Sequence, residues 1–249
     1  MGSSELIPEP GCGRKGKSGV TPTGVSPVAQ SLSEGQCIFC GQPWGEVNKS
    51  NEHVLGHLRR RPGKLRNERT SQSAGLTFDV ESQQFVWHPM ITQTRDSSLL
   101  NLRTREVCES CNTGWMSRLE QQAKPLLMDL EEAAKGGEPL DFARSEALTL
   151  ARWALKTAIT HELTMDGPRV ANTLMGNRLR EGKVIRGSIV WFARNQDDLD
   201  LQIRHAHIEI SDTPVVRSGD PYRLVFLVAI TWHYLTLLVY VGTPGRNAV

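Results

Sequence analysis

The chain has 249 residues, 39% of them apolar, and a formal net charge of +2. That length and apolar share can bury a core without disulfide staples, and the near balance of charge excludes a polyanion binder that works by overall charge, so any nucleic-acid contact has to come from local clusters. Five cysteines stand at 12, 37, 40, 108 and 111, the last four as two Cys-x-x-Cys pairs, a usage that fits metal-binding thiolates in a reduced cytoplasmic compartment better than a disulfide framework.

Taken in chain order, residues 1–35 contain GCGRKGKSG and TPTGVSP. That composition cannot bury enough surface to offset chain entropy and predicts a disordered leader, without the apolar run of a signal peptide. Residues 36–124 hold both cysteine pairs and the strand-like runs GLTFDV and QQFVWHP, and are expected to form one metal-centred domain closed by a helix over 114–124 anchored by Trp115. Residues 125–249 are expected as a second α+β unit, helices first and an antiparallel sheet afterwards. In KPLLMDLEEAAK and ARSEALTLARWALKTAITHEL the apolar residues recur at helical spacing, with Ala147, Leu150, Ala151, Ala154, Leu155, Ala158 and Ile159 on one stripe and Gly136-Gly137 between the two helices. A third helix is expected from Pro168 to Arg180. GSIVWFAR, LQIRHAHIEI and the terminal run read as strands. The run LVFLVAITWHYLTLLVYV, 224–241, is near the length of a membrane span, but its Val, Ile, Thr and aromatic content predicts two buried strands meeting at Thr231-Trp232-His233 and no membrane segment.

CIFC at 37–40 and CESC at 108–111 can each grip one face of a Zn²⁺ ion, and together they complete a tetrahedron. The predicted ligands are Cys37, Cys40, Cys108 and Cys111. Four thiolates leave no open position, so this zinc is expected to be structural, a staple around the 67 residues between Cys40 and Cys108. Cys12 reads as a free thiol.

Inside the staple, SNEHVLGHLRRRPGK places Glu52 beside His53. A carboxylate is a hard ligand for Mg²⁺, and an imidazole can deprotonate water near neutral pH. On a strand the two side chains point to opposite faces, so both reach one site only if the backbone bends there. Asn112, directly after Cys111, adds an amide oxygen; carboxylate, imidazole and amide together suit a single-metal hydrolytic centre. Residues 58–69, LRRRPGKLRNER, carry six basic side chains against one acidic. Arg59, Arg60, Arg61, Lys64, Arg66 and Arg69 are the expected phosphate contacts. His57 is assigned to substrate contact and His88 to structure, while His161, His205 and His207 show no partnered constellation.

CIFC, the EH of NEHV, Asn101 in LLNLRTREVC and the block VCESCNTGW, together spanning about residues 36–120, resemble the HNH endonuclease family, the ββα-metal or His-Me finger nucleases, in its zinc-stapled form. The resemblance implies a ββα-metal finger in which His53 is the general base, Asn101 orients it, and Glu52 and Asn112 hold a catalytic Mg²⁺ or Mn²⁺. It implies DNA as the substrate. Where the family often has proline three residues after the histidine, this chain has Gly56-His57, and the lysine often found after the Cys-Asn is replaced by Trp115. The C-terminal unit is expected to serve as an accessory, through a homodimer contact or a protein partner. The rival expectation is a non-catalytic zinc finger that binds nucleic acid or another protein.

Overall fold

The computed structural model describes residues 35–56, 71–79, 84–88, 99–165, 169–211 and 222–242; Cys12 and all but the last residue of the leader expected at 1–35 lie outside them. The fold is α+β. In order come β1 (Glu52–His53), β2 (Ser71–Asp79), β3 (Gln84–His88), β4 (Arg103–Thr104), α1 (Glu109–Cys111), α2 (Ser117–Gly136), α3 (Arg144–Glu162), α4 (Thr173–Arg180), β5 (Ile189–Ser211) and β6 (Tyr222–Gly242). A widened helical turn, Asn112–Met116, joins α1 to α2.

Residue 124, the expected edge between the two units, lies inside a helix. Helix α2 runs straight through Pro125, with Leu119, Ala123, Leu127 and Ala134 buried along one face, and ends where Gly137 takes a left-handed φ of 78°. An interior proline costs about 3 kcal/mol. Burial of Leu119 and Leu127 offsets that, at about 1.5–3 kcal/mol per side chain.

Helix α3 begins with the Ala143 N–H donating to Glu146 Oε2 at 2.8 Å. From Trp153 to Glu162 every residue is buried, whatever its polarity. The expected apolar stripe is therefore too narrow a description for the second half of α3, which is surrounded on all sides, while its first turns are largely exposed. Helix α4 starts later than expected, at Thr173, because the Asn172 side chain accepts from the Met175 N–H at 3.1 Å and caps it there.

The main sheet has the order β3-β2-β5-β6. It corrects two expectations. β2 and β3 come from within the cysteine-stapled interval yet join the C-terminal strands, and β2 runs parallel to β5, from Ser71 opposite Ile203 to Leu76 opposite Ile208, so the sheet is not wholly antiparallel. The two strands expected to meet at Thr231-Trp232-His233 are one strand carrying a bulge, where His233 has φ 49° and the pairing with β5 shifts between Leu199 and Gln202. Buried positions along β6 change phase across it, from Phe226, Val228, Ile230 and Trp232 to Leu235, Leu237, Val239 and Val241. One extra residue flips the inward face of a period-2 strand, and the bulge keeps apolar side chains inward on both sides of it.

A single apolar cluster reaches from Cys37 to Val241, so the cysteine knuckle and the C-terminal sheet share one core. Two further contacts tie the halves together, and a third, the Trp232 Nε1–H donating to Glu131, fixes the far end of α2 to β6. Arg169 grips Glu106 with both guanidinium nitrogens, at 2.5 and 2.6 Å. Helix α4 lies so close to the knuckle that a Cβ on Gly176 would sit 2.2 Å from the Ile38 carbonyl oxygen. Among the described residues no helix is long and apolar enough to cross a membrane.

Candidate metal centre and adjoining cleft

The two cysteine pairs meet. Their four sulfurs lie within 4.8 Å of one another, close enough to hold one metal ion such as zinc. The first pair sits on a tight turn in which the Gly41 N–H donates to the Cys37 carbonyl at 2.8 Å and Gly41 adopts φ 70°, a conformation glycine takes without strain. The second pair is carried by α1, whose first amide neighbour, the Cys108 N–H, points at Cys37 Sγ from 3.3 Å. Cys40 Sγ and Cys108 Sγ are 3.7 Å apart.

Packed this closely, the thiols titrate unequally. Hydrogen bonding from Cys111, opposed by burial and aided by the Cys108 N–H, holds Cys37 down at about 4. Burial pushes Cys40 up to about 11, and the hydrogen bond to Cys37 raises Cys111 well above the ordinary thiol range. One thiolate excludes its neighbours; full ionisation of the four needs a cation among them, which is what a zinc ion supplies. The all-sulfur donor set fits that metal and leaves it no free position.

Beside this cluster opens a cleft of about 500 Å³ lined by Glu52, His53, Gly56, Asn112, Thr113, Met116, Ser117 and Glu120. The bend needed to bring Glu52 and His53 to one site is present: β1 is only two residues long, pairs Glu52 with Thr104 and His53 with Arg103, and turns at once. Asn112 enters the cleft at the start of the widened turn, where Gly114 leaves helical geometry with ψ −108°. Such turns recur at functional sites because they re-aim the side chains they carry. Trp115, on the same turn, stacks edge-on against Phe39 with ring centroids 5.2 Å apart, so the turn is anchored on the knuckle. The oxygen donors of Glu52, Glu120 and Asn112 are chemically suited to Mg²⁺ or Mn²⁺.

Glu52 is buried at 6% exposure and meets Lys156 of α3, whose Nζ stands 2.9 Å from Glu52 Oε1 and 2.7 Å from Glu120 Oε1. Burial works against the Lys156 charge, but the two carboxylates outweigh it and hold its pKa above the ordinary lysine value. Sequence reading found neither Lys156 nor Glu120. Lysine within an apolar helix reads as a solvated side chain, and 104 residues separate it from Glu52.

Asn101 ends the short 3-10 turn Leu99–Asn101, exposed, and does not line the cleft. His57, Arg59, Arg60, Arg61, Lys64, Arg66 and Arg69 lie outside the described residues, and His88 is the last residue of β3.

The structure does bring together three histidines that looked unrelated. His205 and His207 share one face of β5 by period two, and His161 of α3 meets them: His161 Nε2 lies 3.4 Å from His205 Nδ1, and His207 Nε2 lies 3.2 Å from Glu162 Oε1. Burial, with the neighbouring His207, pulls His205 down from 6.5 to about 4. The unfolded chain binds that proton near pH 6.5 and the folded chain only near 4, so stability is lost as pH falls through this window, by on the order of 3 kcal/mol. Urea unfolding of the wild type should therefore weaken between pH 7 and 4.5 by about 2–3 kcal/mol more than that of His205→Phe. Equal acid sensitivity of the two chains would contradict the assignment.

Compared with known proteins, the chain matches no family model, no curated protein and no solved structure.

Proposed function

We propose that this chain is an HNH-type, metal-dependent endonuclease that hydrolyses phosphodiester bonds in DNA. The observation that carries the reading is the convergence of Glu52, His53 and Asn112 on one cleft beside a four-cysteine cluster. In this reading the neutral imidazole of His53 takes a proton from water, and the hydroxide attacks phosphorus in line with the departing 3′ oxygen. Glu52 and Asn112 are the residues that would hold Mg²⁺ or Mn²⁺, which when bound supplies positive charge to the phosphate and the leaving oxyanion. The cysteines carry a structural zinc and fix Asn112, the next residue after Cys111. The basic arm with Arg59, Arg60, Arg61, Lys64, Arg66 and Arg69 grips phosphates, which gives position and affinity without sequence choice.

One observation favours the rival, a non-catalytic zinc finger: Glu52 is already matched by Lys156, as a purely structural carboxylate would be. Supercoiled-plasmid cleavage separates the two readings. With Mg²⁺ or Mn²⁺ the wild type is expected to cut, EDTA to stop it, and His53→Ala to lose about 10²–10⁴-fold in rate while keeping its DNA affinity. Equal cutting by both chains, or none by the wild type with any metal, rejects the nuclease.

A further inference from the structure

We propose that Lys156 is a positioning residue of the cutting centre, so that α3 of the C-terminal half completes the site. This rests on the nuclease reading above. Lysine is almost never fully buried unless paired, and Lys156 has no exposure at all, on a stretch of α3 otherwise facing the core through Trp153, Leu155 and Ile159. Its ammonium meets two carboxylates delivered by two other segments, Glu52 from β1 and Glu120 from α2. Both carboxylates also line the cleft.

A lysine serving stability alone is weak evidence for itself, because apolar residues usually replace a buried ion pair at no loss. Here the geometry has a second feature. Lys156 engages Oε1 of each glutamate, and the Glu120 carboxylate lies against Gly56, its Oε2 and Oε1 3.3 and 3.6 Å from where a Cβ of residue 56 would stand. Gly56 leaves that carboxylate room. One ammonium thus cancels the repulsion between two carboxylates, fixes their rotamers, and leaves the triad with a net charge of −1 toward the cleft, an arrangement suited to drawing in a divalent cation at the Glu52 side. Without the ammonium, two like charges in the same low-dielectric wall must move apart, and a metal ligand displaced by an ångström loses much of its use.

The test uses the full chain loaded with zinc. Mn²⁺ binding is followed by electron paramagnetic resonance and plasmid cutting in parallel, for wild type, Lys156→Met, Lys156→Gln, Lys156→Arg and Glu120→Gln. Lys156→Met is expected to keep its zinc but to need at least tenfold more Mn²⁺ for half-saturation. Its kcat should fall at least a hundredfold while KM for DNA stays within about twofold, and Lys156→Arg should recover part of both losses. Glu120→Gln keeps the Lys156–Glu52 contact and should show a smaller loss of the same kind; Lys156→Gln, which removes the charge but keeps a polar end, carries the test if Lys156→Met does not melt cooperatively. Binding and cutting by Lys156→Met, or by Lys156→Gln in its stead, within threefold of an active wild type overturn the role of Lys156 and leave the nuclease standing. A wild type that neither binds Mn²⁺ nor cuts removes the nuclease and this inference together.

Discussion

Cys108→Ser should strip the chain of its zinc, from one ion per chain to nearly none after gel filtration against a chelator, and lower its melting temperature by more than about 10 °C. Cys108 has no exposure, sits where α1 begins, and lies against both sulfurs of the first pair. Structural zinc in small fingers is worth about 10–16 kcal/mol of apparent binding energy at neutral pH, and a three-thiolate remnant keeps a fraction of it. Local pairing around the cluster is sparse, a short turn and two isolated bridges, Gln36–Pro43 and Lys49–Cys108, so the fully buried Ile38, Phe39 and Val107 depend on the metal as well as on their packing against α4 and Trp115. Cys12→Ser is the control, expected to change neither zinc content nor melting. Metal analysis that still finds one tightly bound zinc in Cys108→Ser would rule out the four-cysteine site.

Glu162→Ala should be the most damaging single change away from the metal, at about 3–5 kcal/mol, read by urea unfolding. The carboxylate is 1% exposed and accepts from the Val170 N–H at 2.6 Å and the Ala171 N–H at 2.9 Å, with His207 Nε2 at 3.2 Å. Truncation would leave two main-chain donors and an imidazole facing a void, and each buried unsatisfied group costs about 1–3 kcal/mol. Glu162→Gln keeps one acceptor oxygen and should lose about half as much. Amide exchange at Val170 and Ala171 should speed up in both variants. A loss under about 1 kcal/mol for Glu162→Ala would mean that the segment before α4 is held by something else.

What could be read from the sequence was whatever is local or chemically distinctive. The four cysteines announced themselves by spacing and do converge. Glu52, His53 and Asn112 were picked out by donor chemistry and line one cleft. The two helices on either side of Gly136-Gly137 were visible from their period. The losses are non-local. The expected domain edge at 124 falls inside α2, which passes Pro125 because its buried face, Leu119, Ala123, Leu127 and Ala134, packs against the following helix and the sheet. β2 pairs with β5 across more than a hundred residues, and no local pattern encodes a parallel partner. Lys156, His161, His205 and His207 were each unremarkable alone, and their meaning arises only once α3 is surrounded. Asn101 was chosen by family resemblance and does not line the cleft.

The uninterrupted course of α2 has a practical side. It leaves the cysteine knuckle at Asn112–Met116, passes Glu120, and ends beyond Glu131, which is bonded to Trp232. A fragment ending at residue 124 would sever that helix, uncover Leu119 and Ala123, and leave Glu52 and Glu120 in one wall with no cation between them. The cysteine-bearing portion is therefore no portable cassette. For expression, fusion or domain exchange, the smallest unit with intact surfaces is the whole span from the knuckle to the end of β6.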